Sequence, residues 1–424
     1  MHRSQAVPFT LALVAALAGC LGDGAGGDGA SGGAQAGVPD GPVAAIDPCP
    51  ADCWEPAIAI DREGRIFVAT AHEGTLAVSE DGGRTFDQLG APPMPAGAPP
   101  GTGPFDGTVA AAPDGRLFYY SFVAPVVGGE TPGLGSLPGG PVGLQVAASS
   151  DGGHTWESNA FLSLLDGPSE PVVSPWKSWL GFAPDGTVYL DYNSRGTGLW
   201  LTRSDDGGVT WSPFTRVNPP QDHVISVFMG PPVVGPDGRV HVPYFGEQTP
   251  NYPNPFLPQG HALRVAVSED RGVTFTLRTV ATAAPPDYVG AYFPAIAADA
   301  AGRLVLAHWD PQERMQVYAS PDGGETWEGP VQWSADGEAT AAAPWLEMRD
   351  GLATLMYYGG EGMAYARGSI APGLGPPTER GTLAKPTGGG DFIHFALDTA
   401  GRPVVPVPLA EGPRVEVVWG PPSA

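Results

Sequence analysis

The sequence predicts an all-β fold, one closed ring of four-stranded antiparallel blades, that is, a β-propeller. Three observations predict it. An eight-residue turn pattern recurs five times, and an acidic-Gly turn between two short apolar runs recurs seven times. No stretch beyond the first 20 residues carries helical periodicity. Composition agrees: 62 Gly and 49 Pro in 424 residues approach a disordered level, but 42% hydrophobic residues and 11 Trp supply a packed core. Both hold if Gly and Pro punctuate many short strands. The formal charge of −24 repels a phosphate backbone, so nucleic acid is excluded as a partner of any basic surface.

In chain order, residues 1–20 come first and are expected outside the fold. Arg3 precedes an apolar stretch, Val7 to Ala18, too short to span a bilayer but of signal-peptide length. It ends in Leu17-Ala18-Gly19-Cys20, which resembles a bacterial lipobox. That resemblance implies a lipidated Cys20 and hence the membrane as a partner. Leu21, not Asp, follows, so no inner-membrane retention signal is read there. Residues 21–45 are Gly-rich, bury nothing and are expected to form a flexible tether. The expected location is extracytoplasmic, in the periplasm or at the cell surface. Outside the cytoplasm the remaining pair, Cys49 and Cys53, is expected to form a small-loop disulfide of modest entropic gain.

Residues 46–424 are expected to form the propeller. The turn pattern reads Ser79-Glu80-Asp81-Gly82-Gly83-Arg84-Thr85-Phe86, and it returns at Ser149–Trp156, Ser204–Trp211, Ser268–Phe275 and Ser320–Trp327. Ser and Asp side chains can bond the turn backbone, Gly supplies positive φ, and the aromatic leads into the next strand. Each copy follows an alternating strand and is therefore a hairpin turn. The consensus S-x-D-x-G-x-T-[WF] resembles the Asp box, or bacterial neuraminidase repeat, of the sialidase-like β-propeller superfamily. Asp81, Asp151, Asp206, Asp270 and Asp322 are accordingly expected to be structural.

The second pattern is seen at Asp61–Gly64, Asp114-Gly115, Asp185-Gly186, Asp237-Gly238, Asp299–Gly302, Asp350-Gly351 and Asp398–Gly401. Each fits the first hairpin of a blade. Seven blades are expected, the last two lacking a box, with six as the alternative that the resemblance to catalytic sialidases suggests.

Strand parity then separates two rims. In a four-stranded meander the 1–2 and 3–4 turns lie at one end, so acidic-Gly turns and boxes share a structural base. The 2–3 loops and blade connections emerge opposite, where binding residues usually sit. Long examples are Ala124–Val142 and Phe245–His261. The candidate ligand-binding residues on that rim are Glu55, Asp106, Trp176, Lys177, Trp179, Asp191, Arg195, His308, Asp310, Arg314, Tyr358 and Glu361. Rings beside carboxylates suit sugars, which present apolar C–H faces and hydroxyl edges.

The resemblance implies, for catalytic members, three Arg on a substrate carboxylate, an acid/base Asp and a Tyr–Glu nucleophile. The first Arg belongs to an Arg-Ile-Pro motif, and this chain reads Trp54-Glu55-Pro56 at that opening. Arg195 and Arg314, with Lys177 as a non-planar third cation, do not complete the set. Catalytic roles are therefore carried over to no residue. Capture of a glycan or other surface ligand is the first expectation. A divergent sialidase or glycoside hydrolase, and a protein-binding assembly scaffold, are the alternatives. No cofactor and no metal are expected, and a monomer is.

Overall fold

A computed structural model of the chain describes residues 38–47, 55–71, 74–126, 141–164, 175–194, 198–222, 229–247, 259–284, 287–338, 340–360, 362–386, 394–412 and 414–422. Cys20, Cys49, Cys53, Arg195 and Glu361 lie outside these residues, as does the side chain of Trp176.

The described chain is strands and turns, arranged as a seven-bladed propeller. Blade 1 runs from Ala57–Ile60 to Asp87–Gln88, blade 2 from Thr102–Ala111 to Ser158–Ser163, and blade 3 from Pro175–Phe182 to Thr215–Arg216. Blade 4 runs from Val233–Val234 to Thr276–Thr282, blade 5 from Gly290–Ala298 to Glu328–Gln332, and blade 6 from Ala341–Arg349 to Glu379–Ala384. Blade 7 holds Ala396–Leu397, Pro403–Leu409 and Arg414–Trp419. Its fourth, outer strand comes from the other end of the chain, Val43–Ile46, which pairs antiparallel with Arg414–Trp419. The ring is thus closed by both termini. The tether boundary expected at residue 45 is corrected by this: Val43, Ala44 and Ala45 belong to the propeller, because an apolar Val-Ala-Ala-Ile run fills the open edge of blade 7. Ring closure is a long-range pairing, so local composition does not reveal it.

Each sheet is apolar on both faces because blades stack side by side. Seven hydrophobic clusters lie between successive blades, from Phe67, Val78 and Tyr119 between blades 1 and 2 to Met356, Met363 and Val407 between blades 6 and 7. Burying a side chain such as Phe118, at the interface of blades 2 and 3, contributes roughly 1.5–3 kcal/mol. The box aromatics join these interfaces: Trp156 packs on Tyr119 with ring centroids 6.4 Å apart, and Trp211 joins the blade 2–3 cluster.

The five boxes share one bonding scheme. The Ser hydroxyl donates to the Asp carboxylate and accepts the N–H of the second Gly, and the Thr N–H and hydroxyl both donate to the same Asp. The remaining three copies repeat it, with Thr Oγ1 to Asp Oδ2 distances of 2.5–2.6 Å. Glycine is required at Gly83, whose φ is +87° and where a Cβ would run into the ring of Trp419. The box carboxylates are held below the usual range, to about 2 at Asp151, Asp206 and Asp270, by the Thr hydroxyl and N–H bonds.

Boxes and acidic-Gly turns do share a rim. Arg116, beside the Asp114 turn of blade 2, donates to the carbonyl of Gly207 in the blade 3 box at 3.1 Å. Arg239 of blade 4 reaches Glu325 in the blade 5 box at 3.2 Å. This lower rim is a belt of turns locked blade to blade.

Candidate functional site

The opposite, upper rim receives the starts of the inner strands. The first strands of blades 2, 3, 5 and 6 each break register there, between Phe105 and Thr108, Pro175 and Ser178, Ala291 and Ala295, and Ala341 and Trp345. Such bulges re-aim side chains, and they turn several toward the axis of the ring.

On the axis the structure brings together three candidates. The ammonium of Lys177 lies 2.5 Å from Glu55 Oε2 and 2.5 Å from Asp106 Oδ1. Lys177 and Asp106 are buried, and Glu55 nearly so. Burial alone would lower the Lys177 pKa, but the Asp106 and Glu55 carboxylates outweigh it and hold the ammonium charged well above its usual range. Glu55 sits just before the inner strand of blade 1 and Asp106 in the bulge of the inner strand of blade 2, and both have left-handed backbones, φ 44° and 60°. Two non-Gly residues keep that conformation only where surrounding contacts over-determine it, and the shared Lys does so here.

Beside the triad, aromatic rings fill the axis. Trp179 is 1% exposed and packs against Phe293, Trp345 and His394, and Trp345 stacks on His394 at 4.2 Å. Burial, with the Lys177 charge second, lowers His394 to about 3. Asp191 is 0% exposed, with neither carboxylate oxygen hydrogen-bonded, and burial raises its pKa far above the usual range. Among the described residues the axis is packed by ions at the starts of blades 1–3 and by rings from blades 3, 5 and 6 and the approach to blade 7. Trp179, Lys177, Asp106 and Asp191 sit in that packing rather than on an open surface.

Three other candidates meet in an open groove. It lies between blades 4 and 5, with a volume of about 550 Å³. Ala281 and Thr282 at the end of the blade 4 outer strand and Asp287–Val289 of the connection form one wall. His308, Arg314, Gln316 and Tyr318 of blade 5 form the other. The lower part of this interface is apolar, with Phe245, Leu263, Leu306 and Tyr318, and the upper part turns polar. The long blade 4 loop ends in Gln259–Gly260, which pairs with the inner strand of blade 5 and ties the two blades together.

Asp310 and Arg314 are bound to each other. Asp310 Oδ1 accepts the N–H groups of Gln312 and Arg314, and Oδ2 accepts Arg314 Nε at 2.9 Å and Nη2 at 2.7 Å. This is the scheme of Asp61–Arg65, Asp299–Arg303 and Asp398–Arg402 on the lower rim, placed here on the upper one. Gln316 Nε2 adds a third donor at 2.8 Å. Burial would raise Asp310, but the Arg314 and Gln316 bonds and the Arg314 charge keep it below the usual carboxylate range. The pair is thus a preformed turn, not a free acid and a free anion clamp.

His308 is 2% exposed, and neither ring nitrogen has a hydrogen-bond partner. Its ring stacks on Tyr318 at 5.8 Å and meets Phe245 edge-on. Burial lowers its pKa to about 4, so the imidazole is neutral near pH 7. Tyr318, raised by burial and by Asp310 to about 12, keeps its proton there.

Sequence reasoning missed Gln316 and Tyr318, although the period-2 alternation Arg314, Gln316, Tyr318 places them on one face of a strand. It also missed a buried cluster on blade 4, in which Tyr244 donates to Asp222 at 2.7 Å and Arg264 reaches the same carboxylate at 3.2 Å. Tyr358 is half-buried against the blade 6–7 interface, away from the groove lining. Among the described residues no three His, Cys, Asp or Glu side chains cluster as metal ligands would.

Comparison with known proteins agrees with this architecture. A model of the BNR repeat-like domain matches residues 142–371. The α-L-arabinofuranosidase of Fusarium graminearum, solved with arabinobiose, shares 15% identity over 78% of this chain and 98% of its own, with a TM-score of 0.50. The NanB sialidase of Streptococcus pneumoniae shares 10% over 84% of this chain and 83% of its own, with a TM-score of 0.52. The α-L-arabinanase of Penicillium chrysogenum, complexed with arabinobiose, shares 14% over 90% of this chain and 98% of its own, with a TM-score of 0.50. At these identities the likeness is one of fold. No curated protein matches the chain.

Proposed function

This chain belongs to the BNR repeat-like domain family, and from that premise we propose that it is an exported, lipid-anchored propeller that binds a glycan on its upper rim, in the groove between blades 4 and 5. The observation that carries the reading is the composition of that groove. Tyr288 offers a ring to sugar C–H faces, and Thr282, Gln312, Gln316 and Asp287 offer donors and acceptors to hydroxyls. Two propellers of this fold, from Fusarium graminearum and Penicillium chrysogenum, have been solved with arabinobiose, which supports a sugar as the ligand.

Binding is favoured over hydrolysis by the state of the groove carboxylates. Hydrolysis needs one carboxyl as acid and a second as base or nucleophile. Asp310 is locked to Arg314, and among the described residues Asp287 is the groove carboxylate left without a cationic partner. Anchoring rests on Cys20 and the Gly-rich tether after it.

The test is isothermal titration of oligosaccharides from plant, host and bacterial polysaccharides into the protein, with turnover of fluorogenic glycosides followed in parallel. Saturable binding weakened by Tyr288→Ala, without turnover, supports the reading. Silence across the panel overturns it, and turnover would replace it with the hydrolase. For the anchor, labelling cells with an alkynyl fatty acid should tag the protein and fail with Cys20→Ala.

A further inference from the structure

We infer that the blade 4–5 groove selects uncharged glycans, binding a neutral oligosaccharide in preference to one bearing carboxylate groups. The inference rests on the glycan reading above and names the sugar chemistry that the same groove would take.

The first argument is the commitment of Arg314. A guanidinium grips a carboxylate best through two parallel N–H bonds along one edge. In Arg314 the Nε–Nη2 edge already holds Asp310 at 2.9 and 2.7 Å, and Nη2 also bonds Gln312 Oε1 at 3.1 Å. An incoming carboxylate would meet a cation whose charge is matched by an adjacent anion.

The second argument is the charge of the wall. Asp287 and Asp310 are the acids of the lining and Arg314 its cation, giving a negative balance in a protein of net charge −24. His308 adds no positive charge near pH 7, since burial holds it neutral.

The third argument is the kind of hydrogen bonding that the wall offers. Gln316 gives an amide N–H to Asp310, and its carbonyl oxygen can only accept, as can the Asp287 carboxylate. A sugar hydroxyl can donate to both, whereas a carboxylate cannot. The nitrogens of His308 are buried within the wall and add no donor that would grip a carboxylate.

The experiment compares matched pairs at pH 7 by isothermal titration into the full chain: galactotetraose against tetragalacturonate, and lactose against sialyllactose. The neutral member of a pair should bind at least tenfold more tightly. Equal or tighter binding of the acidic member overturns this inference while leaving the glycan reading intact. Silence of both members of both pairs, repeated across the wider panel, overturns the glycan reading and this inference with it. Asp310→Asn provides a second check, because it frees the fork of Arg314. It should move the neutral-to-acidic ratio several-fold toward the acidic member, and an unchanged ratio would remove the argument from Arg314.

Discussion

Lys177 and Asp106 are joined by a 2.5 Å ion pair in the buried axis of the ring, bridging the inner strands of blades 3 and 2. Glu55 of the blade 1 approach closes the same ammonium from the other side. One cation therefore holds together the starts of three blades, two of them in left-handed backbone.

Replacing that cation should be costly. Lys177→Met leaves two carboxylates buried without their partner, a change that typically costs about 3–5 kcal/mol. Adding Glu55→Gln and Asp106→Asn to it should recover a large part of the loss. Urea unfolding of the single and triple variants checks this, and a loss below about 1 kcal/mol in Lys177→Met would show the triad to be incidental.

The boxes should behave as structural turns. Asp206 accepts three hydrogen bonds, from the Ser204 hydroxyl and from the Thr210 N–H and hydroxyl. Asp206→Ala should destabilise by about 2 kcal/mol, since bonds to a charged acceptor are worth about 1.5–3 kcal/mol each before compensation by water. Its exposed neighbour Asp205 makes only surface ion pairs, and Asp205→Ala should cost no more than about 0.5–1 kcal/mol. Equal losses in the two variants would contradict the bonding scheme.

Ring closure depends on Ile46. It is buried at 1% exposure and pairs with Val415 across the seam of blade 7. Ile46→Ala should cost about 2–5 kcal/mol and lower the cooperativity of unfolding. Gly41→Ala, ahead of the buried pair Ala45–Ile46 and with no atom near its missing Cβ, should fall within about 0.5 kcal/mol of the parent. Thermal unfolding followed by calorimetry distinguishes a broken seam from a uniform loss.

Acid should weaken the fold in two stages. Burial lowers His308 to about 4 and His394 to about 3, against an ordinary 6.5. A lowered folded-state value means the unfolded chain takes up protons first, so the stability is complete above pH 6.5 and is lost as pH falls through those values. The box carboxylates, at about 2 against 3.8 for Asp151, Asp206 and Asp270, then lose their contribution below pH 3.8. Urea unfolding free energies at pH 7.5, 5.5 and 4.5 should decline, and His394→Phe, which keeps a ring against Trp345, should flatten the decline. An identical slope in the variant would rule out the assignment to His394.

Sequence alone determined the repeat and therefore the blades. The Asp-Gly and Asp-box turns are local devices, each bonded within about five residues, so the same residues that write the motif also make the turn. All seven acidic-Gly turns join the first two strands of their blades and all five boxes the last two, and antiparallel parity put them on one rim. What needed the tertiary structure was every long-range relation. The Val43–Ile46 strand finds its partner only at the far end of the chain, as the fourth strand of a blade that the C-terminal segment supplies with three. Lys177, Asp106 and Glu55 read alike as surface candidates, yet the curvature of the ring converges them into one buried triad. Asp310 and Arg314 read as an acid and an anion clamp, but a turn scheme borrowed from the opposite rim binds each to the other. Which polar groups stay open toward a ligand depends on which neighbours claim the rest, and those neighbours are assembled by the closed ring rather than by adjacency in the chain.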